Sequence, residues 1–186
     1  TFVFQNSDGT RTVYFMEEDV KYVDSKGSTV IKDITLTKKE TGFGITRNNV
    51  DLLIPNNIKS GVDVGYTDYS IKLIPQNTAT NILTEQKNNS VVYNGAFGAK
   101  TRLVYTPILS GIKEDIILSE YIENASYTFI LETDGLTLQN RDGKYVLCNG
   151  LQRDPVFYLG EILVYDAIGK PDMGSMTVET IEEGQE

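Results

Sequence analysis

Apolar and polar residues alternate along this chain in short runs, the period of β-strands rather than of helices. Phe2 and Phe4, then Val13 and Phe15, flank the turn Asn6-Ser7-Asp8-Gly9 and predict a hairpin. Val20-Lys21-Tyr22-Val23, the turn Asp24-Ser25-Lys26-Gly27 and the run from Val30 to Leu36 predict a second. Further strands are expected at Asn49–Ile54, Tyr69–Ile74, Ser90–Tyr93, Thr101–Tyr105 and Ile112–Leu118. The pattern continues through Tyr127–Glu132, Leu136–Gln139, Lys144–Cys148, Val156–Leu159, Glu161–Tyr165 and Ser175–Thr180.

Turn residues separate these runs: Asn56-Asn57, Asn88-Asn89, Asp134-Gly135, Asp142-Gly143, Asn149-Gly150 and Asp166 to Gly169. Each supplies a residue that tolerates positive φ or a side chain that bonds its own backbone. Many short strands at this spacing indicate a sandwich or a barrel. The expectation is an all-β fold, an antiparallel β-sandwich that is elongated or bent into two lobes. No helical period is sustained, and one short helix at Ser119–Ala125 is the sole candidate. One domain is expected over residues 1–180, with any two lobes meeting in the polar stretch 75–89 and an acidic linker beginning at 181–186.

Composition narrows the function. The chain has no histidine, no tryptophan and a single cysteine, Cys148. Histidine is the usual general base at neutral pH and the commonest metal ligand, so its absence removes the centre of most enzyme mechanisms. The expectation is a protein that is not an enzyme and carries no cofactor. With 17 basic against 26 acidic residues, a net charge of −9 and no basic cluster, neither nucleic acid nor an anionic membrane surface is an expected partner. No run approaches the roughly 18 apolar residues of a membrane span, so membrane insertion is not expected. The opening Thr1-Phe2-Val3-Phe4 reads as a strand entered mid-sequence, which suggests a piece of a longer protein.

The run Tyr93-Asn94-Gly95-Ala96-Phe97, then Leu103-Val104-Tyr105, then Gly111-Ile112-Lys113-Glu114-Asp115-Ile116-Ile117-Leu118 resembles one group of bacterial proteins. It is similar to the region ahead of the DNRLRE and RHS-repeat parts of large surface or secreted proteins, mostly from Gram-positive bacteria. Val20-Lys21-Tyr22 with Gly27 and Asp33, and Asn49-Val50-Asp51-Leu52-Leu53-Ile54-Pro55, resemble that group's early elements. Phe157 with Tyr165-Asp166-Ala167-Ile168-Gly169 resembles its last. The resemblance runs from about Tyr14 to Thr180. It implies a β-rich fold, a secreted, cell-surface or wall setting, and neighbouring domains of the same polypeptide as partners. It brings no catalytic residue onto this chain.

Lys113-Glu114-Asp115 is the most conspicuous polar cluster, set among isoleucines. In a strand Lys113 and Asp115 share one face and Glu114 points to the other, and a charge on whichever face turns inward needs a buried partner. An ion pair or turn anchor is the ordinary reading; a ligand-binding carboxylate is the sharper one. Carboxylate-only glycoside hydrolysis is the enzyme class that runs without histidine. Its candidates are Glu114, Asp115, Glu120, Glu123, Glu132 and Glu161. Calcium could draw on Asp24, Asp63, Asp68, Asp142 or Asp166, but none forms the acidic array of a calcium loop, so no metal is expected. Tyr66, Asp68 and Tyr69 are the best local candidates for contacting a glycan or another surface protein. Tyr165, Asp166 and Gly169 read as a structural turn motif, and Cys148 as a half-buried structural thiol.

Overall fold

The computed structural model describes residues 2–14, 19–150 and 154–179. Among them every extended element pairs antiparallel, and a single 3₁₀ turn, Ile58–Ser60, is the only helical piece. The chain forms two compact units, one reaching to Asp134 and one starting at Gly135. Residues 75–89 lie inside the first unit, where they close one strand and contain the whole of another.

The first unit holds two hairpins and two larger sheets. β1 (Phe2–Gln5) pairs β2 (Arg11–Tyr14), and β3 (Lys21–Val23) pairs β4 (Thr29–Ile31). A six-stranded sheet is built from β5 (Thr37–Lys38), β6 (Gly42–Gly44), β7 (Val50–Pro55), β8 (Val62–Tyr66), β9 (Tyr69–Pro75) and β14 (Phe129–Thr133), the last lying outside β9. A four-stranded meander joins β10 (Leu83–Lys87), β11 (Ser90–Asn94), β12 (Thr101–Ile108) and β13 (Gly111–Leu118). The second unit has a three-stranded sheet, β15 (Leu136–Arg141), β16 (Lys144–Asn149) and β17 (Pro155–Tyr158). Its remaining pair is the hairpin β18 (Leu163–Tyr165) with β19 (Pro171–Met173).

One turn chemistry recurs at the hairpins β1–β2, β3–β4 and β18–β19. Asn6, Asp24 and Asp166 each accept at their carbonyl from the amide of the glycine three residues on, at 3.1, 3.0 and 3.0 Å. Those glycines, Gly9, Gly27 and Gly169, have φ of 84°, 79° and 79°, the left-handed region that glycine enters without steric cost. This is the turn-plus-bulge that sets strand register in short hairpins. Gly42 is fixed by a different constraint. A Cβ there would overlap the Ile54 carbonyl oxygen and lie 2.7 Å from the Pro55 Cα, so β6 approaches β7 only without a side chain.

Alternation decides the core. On β7 and β8, Val50, Leu52, Ile54, Val62 and Val64 are buried on one face, and on β12 so are Thr101, Leu103, Tyr105 and Pro107. Polar side chains also tie segments far apart in the first unit. The Asn89 amide donates to the Ile34 carbonyl and accepts from the Leu36 amide, both at 2.8 Å. Thr84 Oγ1 donates to the Asn56 carbonyl at 2.8 Å, and Lys32 Nζ to the Leu109 carbonyl at 3.1 Å. In the second unit Leu136, Val146, Leu147 and Cys148 form the buried set.

Several expectations differ from what folds. Ser119–Ala125 forms no helix; Ser119 instead bonds the Lys100 carbonyl through its amide at 2.9 Å and its hydroxyl at 3.2 Å. Residues 175–179 form no strand, and Thr180 lies outside the described residues. The partner of β18 is Pro171–Met173, because the Asp166 turn places Tyr165 opposite Pro171. Phe15 and the acidic stretch 181–186 also lie outside the described residues. Unforeseen strands include β6, which is Gly-Phe-Gly, β8, interrupted by Gly65, and β10, whose Leu-Thr-Glu-Gln-Lys is polar because it is a sheet edge.

Candidate functional site

The register of β12 and β13 places Tyr105 opposite Glu114, with Thr106 opposite Lys113 and Val104 opposite Asp115. Directly paired residues share a face, so Glu114 follows Tyr105 inward while Lys113 and Asp115 lie on the other side. Lys113 Nζ and Asp115 Oδ1 are 2.8 Å apart in an exposed ion pair. Within the sheet, the Tyr105 hydroxyl donates to Glu114 Oε2 at 2.6 Å. The Tyr105 ring, completely buried, meets the equally buried Tyr93 edge to face, with centroids 6.2 Å apart and planes at 80°. Tyr93 in turn donates its hydroxyl to the Pro55 carbonyl. A chain of three polar side chains therefore runs from β13 through the meander to the end of β7.

Electrostatics follow from that burial. Desolvation pushes Glu114 from the ordinary 4.5 up to about 7; the Tyr105 hydroxyl opposes this and the Asp115 charge adds to it. Both tyrosine hydroxyls are driven well above their ordinary value, chiefly by desolvation. A carboxyl near 7 is the tuning a general acid needs. What it lacks is a reacting partner: its hydrogen bond ends on a buried tyrosine, and Asp115 is engaged with Lys113 on the opposite face. Glu120 pairs with Lys100 at 3.0 Å, Glu123 and Glu132 are exposed, and Glu161 belongs to the second unit.

The aspartates sort in the same way. The Asp24 carboxylate accepts from the amides of Lys26 and Ser28 at 2.9 and 2.8 Å, and Asp166 from those of Ile168 and Lys170 at 3.0 and 2.8 Å. Asp63 pairs with Lys72 across β8 and β9 at 3.3 Å. Asp142 takes φ of 53° in the turn before Gly143. Among the described residues no three acidic or thiol side chains converge as metal ligands would. Cys148 is fully buried rather than half-buried, with Arg141 Nη2 3.2 Å from its sulfur.

Tyr66 and Tyr69 face each other across the two-residue loop Thr67-Asp68, where Thr67 takes φ of 54°. They continue the face that carries Val62 and Val64; Tyr69 is half-buried, while Tyr66 and Asp68 are exposed. Tyr165, Asp166 and Gly169 are together in the β18–β19 turn. A separate cleft of about 250 Å³ is lined by Asn56, Asn57, Lys59, Thr80, Ile82 and Thr84, and Glu114 is not on its wall. Tyr105, the partner of Glu114, and Tyr93, which packs against Tyr105, are not among the site residues that the sequence singles out. The signal was present in Leu103-x-Tyr105, which alternation turns inward on the same face.

Comparison with protein-family models, curated proteins and solved structures returns no match. The resemblance to the DNRLRE and RHS-repeat group thus rests on its short motifs alone.

Proposed function

We propose that the chain is a non-enzymatic structural and interaction module of a larger secreted or cell-surface bacterial protein, its partners being neighbouring domains of the same polypeptide. The observation that carries this is the β18–β19 hairpin. Leu163, Val164, Tyr165 and Met173 are 54, 47, 61 and 62% exposed, and Ile168 at the turn is 88% exposed. A lone two-stranded hairpin is marginally stable in water, and Leu163, Tyr165 and Met173, bare on one of its faces, are the kind of apolar surface that interaction sites leave uncovered. The residues singled out for chemistry are meanwhile engaged in holding the fold, Glu114 by Tyr105 and Asp166 by its own turn. Face-to-face packing of the six- and four-stranded sheets, as in a sandwich, fits the Tyr93 bond to Pro55 on β7 and the Thr84 bond to Asn56 just after it.

Hydrogen exchange tests the proposal. Backbone amides of residues 163–173 are expected to exchange at least about tenfold more slowly in the full-length polypeptide than in this chain alone, the mark of an opening made costlier by about 1.4 kcal/mol. Equal exchange in the two settings would remove the interaction reading.

The second reading is a carbohydrate-binding module, favoured by the opposed pair Tyr66 and Tyr69 beside Asp68 at one hairpin tip. It expects glycan-array binding that Tyr66→Ala and Tyr69→Ala each weaken by about tenfold, the scale of one lost aromatic contact. An array with no bound glycan eliminates it.

A further inference from the structure

The chain contains two Asn-Gly dipeptides, Asn94-Gly95 and Asn149-Gly150, in unlike surroundings. In such a pair the glycine amide nitrogen can attack the asparagine side-chain carbonyl carbon. The new C–N bond closes a five-membered imide, the Cγ–Nδ2 bond breaks and ammonia leaves. Water then opens the imide to aspartate or isoaspartate. Glycine permits the attack because no Cβ screens its nitrogen. The geometry must also leave that nitrogen without another acceptor, and a donor on the side-chain oxygen stabilises the charge that develops there.

Asn94-Gly95 is closed to this reaction. The Gly95 amide donates to the Thr101 carbonyl at 2.8 Å, and Gly95 is held at φ of 78°. Asn94 Nδ2 donates to Glu85 Oε1 at 3.0 Å, so the group that would leave is tied to a carboxylate.

Asn149-Gly150 differs at its glycine. Gly150 follows the last residue of β16, is exposed, and its amide meets no acceptor among the described residues. Asn149 Oδ1 accepts from the Asp154 amide at 3.4 Å, a donor on the oxygen that the attack would make anionic. The Asn149 amide bonds the Asp154 carbonyl at 3.1 Å, which holds the two residues together. We propose that Asn149 is a site of spontaneous self-modification, in which the Gly150 nitrogen displaces ammonia and hydrolysis yields isoaspartate. The product adds a methylene to the backbone and a carboxylate opposite Asp154, one residue beyond the register shift at Leu147 and Cys148. The pairing of β16 with β17 is the structure that this loosens.

The test is to age the intact chain in mildly alkaline buffer, digest it in acid and resolve isoaspartyl from asparaginyl peptides by fragmentation mass spectrometry. Asn149 is expected to convert at least about tenfold faster than Asn94, since attack at Asn94 first requires the Gly95 amide to leave the Thr101 carbonyl. In denaturing urea the two rates should converge. Gly150→Ala should suppress conversion at position 149 without unfolding the chain, because an added Cβ meets no atom of the described residues within 4 Å. Urea melting checks that the variant is folded. Equal rates in the folded chain, a faster Asn94, or an Asn149 that reacts only in urea each overturn the proposal.

Discussion

Tyr105→Ala is expected to destabilise the first unit by about 3–5 kcal/mol, the cost of deleting a large buried aromatic side chain. Tyr105 has no exposed surface, packs its ring against Tyr93 and lies on the buried face of β12 with Leu103. The substitution therefore empties space inside the meander and also removes the donor to Glu114. Tyr105→Phe separates these contributions. It keeps the ring and loses only the hydroxyl, so a smaller cost of about 1–3 kcal/mol is expected. Chemical denaturation of both variants checks this, and similar losses for Ala and Phe would mean that the ring contributes little. An unchanged midpoint for Tyr105→Ala would contradict the burial itself.

The second large effect is a dependence of stability on pH that resides in Glu114. Its folded value, about 7, lies above the ordinary 4.5, so between these two the folded chain binds more protons than the unfolded chain. Stability contributed by this group is therefore greatest below about 4.5 and is lost as pH rises toward about 7. The loss amounts to about 2–3 kcal/mol, reduced from the full shift because Glu114 keeps some contact with water. Glu114→Gln mimics the neutral acid and should flatten this slope, leaving the variant more stable than the parent at about pH 8 by about 1–2 kcal/mol. Tyr105→Phe should steepen it, because the hydroxyl holds the Glu114 value down. Urea melts at about pH 5 and about pH 8 provide the comparison. Parent and Glu114→Gln curves that stay parallel across this range would place the titration elsewhere.

The local pattern made much of this legible. Alternation in Leu103-x-Tyr105 and Lys113-Glu114-Asp115 fixed which side chains turn together, and Asn or Asp three residues before Gly marked the hairpin ends. Both are short-range rules, and they hold wherever a strand has one buried face. They miss β10, whose polar sequence suits a sheet edge, and β6, where glycines are required by the approach of β7. Pairing of β14 with β9, seen in Leu131 opposite Leu73, joins segments that no local rule connects. The candidate site was half visible for the same reason. Glu114 stood out as a carboxylate among isoleucines, but its hydroxyl partner and the link on to Pro55 depend on cross-strand register and on contact between sheets.

The single thiol has a use that its inertness makes clean. Cys148 is fully buried in the second unit, and the first unit contains no cysteine. A thiol reagent added to the native chain therefore reacts only when the second unit opens, so its labelling rate clocks the breathing of that unit alone. Tyrosine absorbance, with Tyr145, Tyr158 and Tyr165 in the second unit and the other tyrosines in the first, follows both units at once, so comparing it with the labelling rate shows whether the second unit opens by itself. No label has to be introduced.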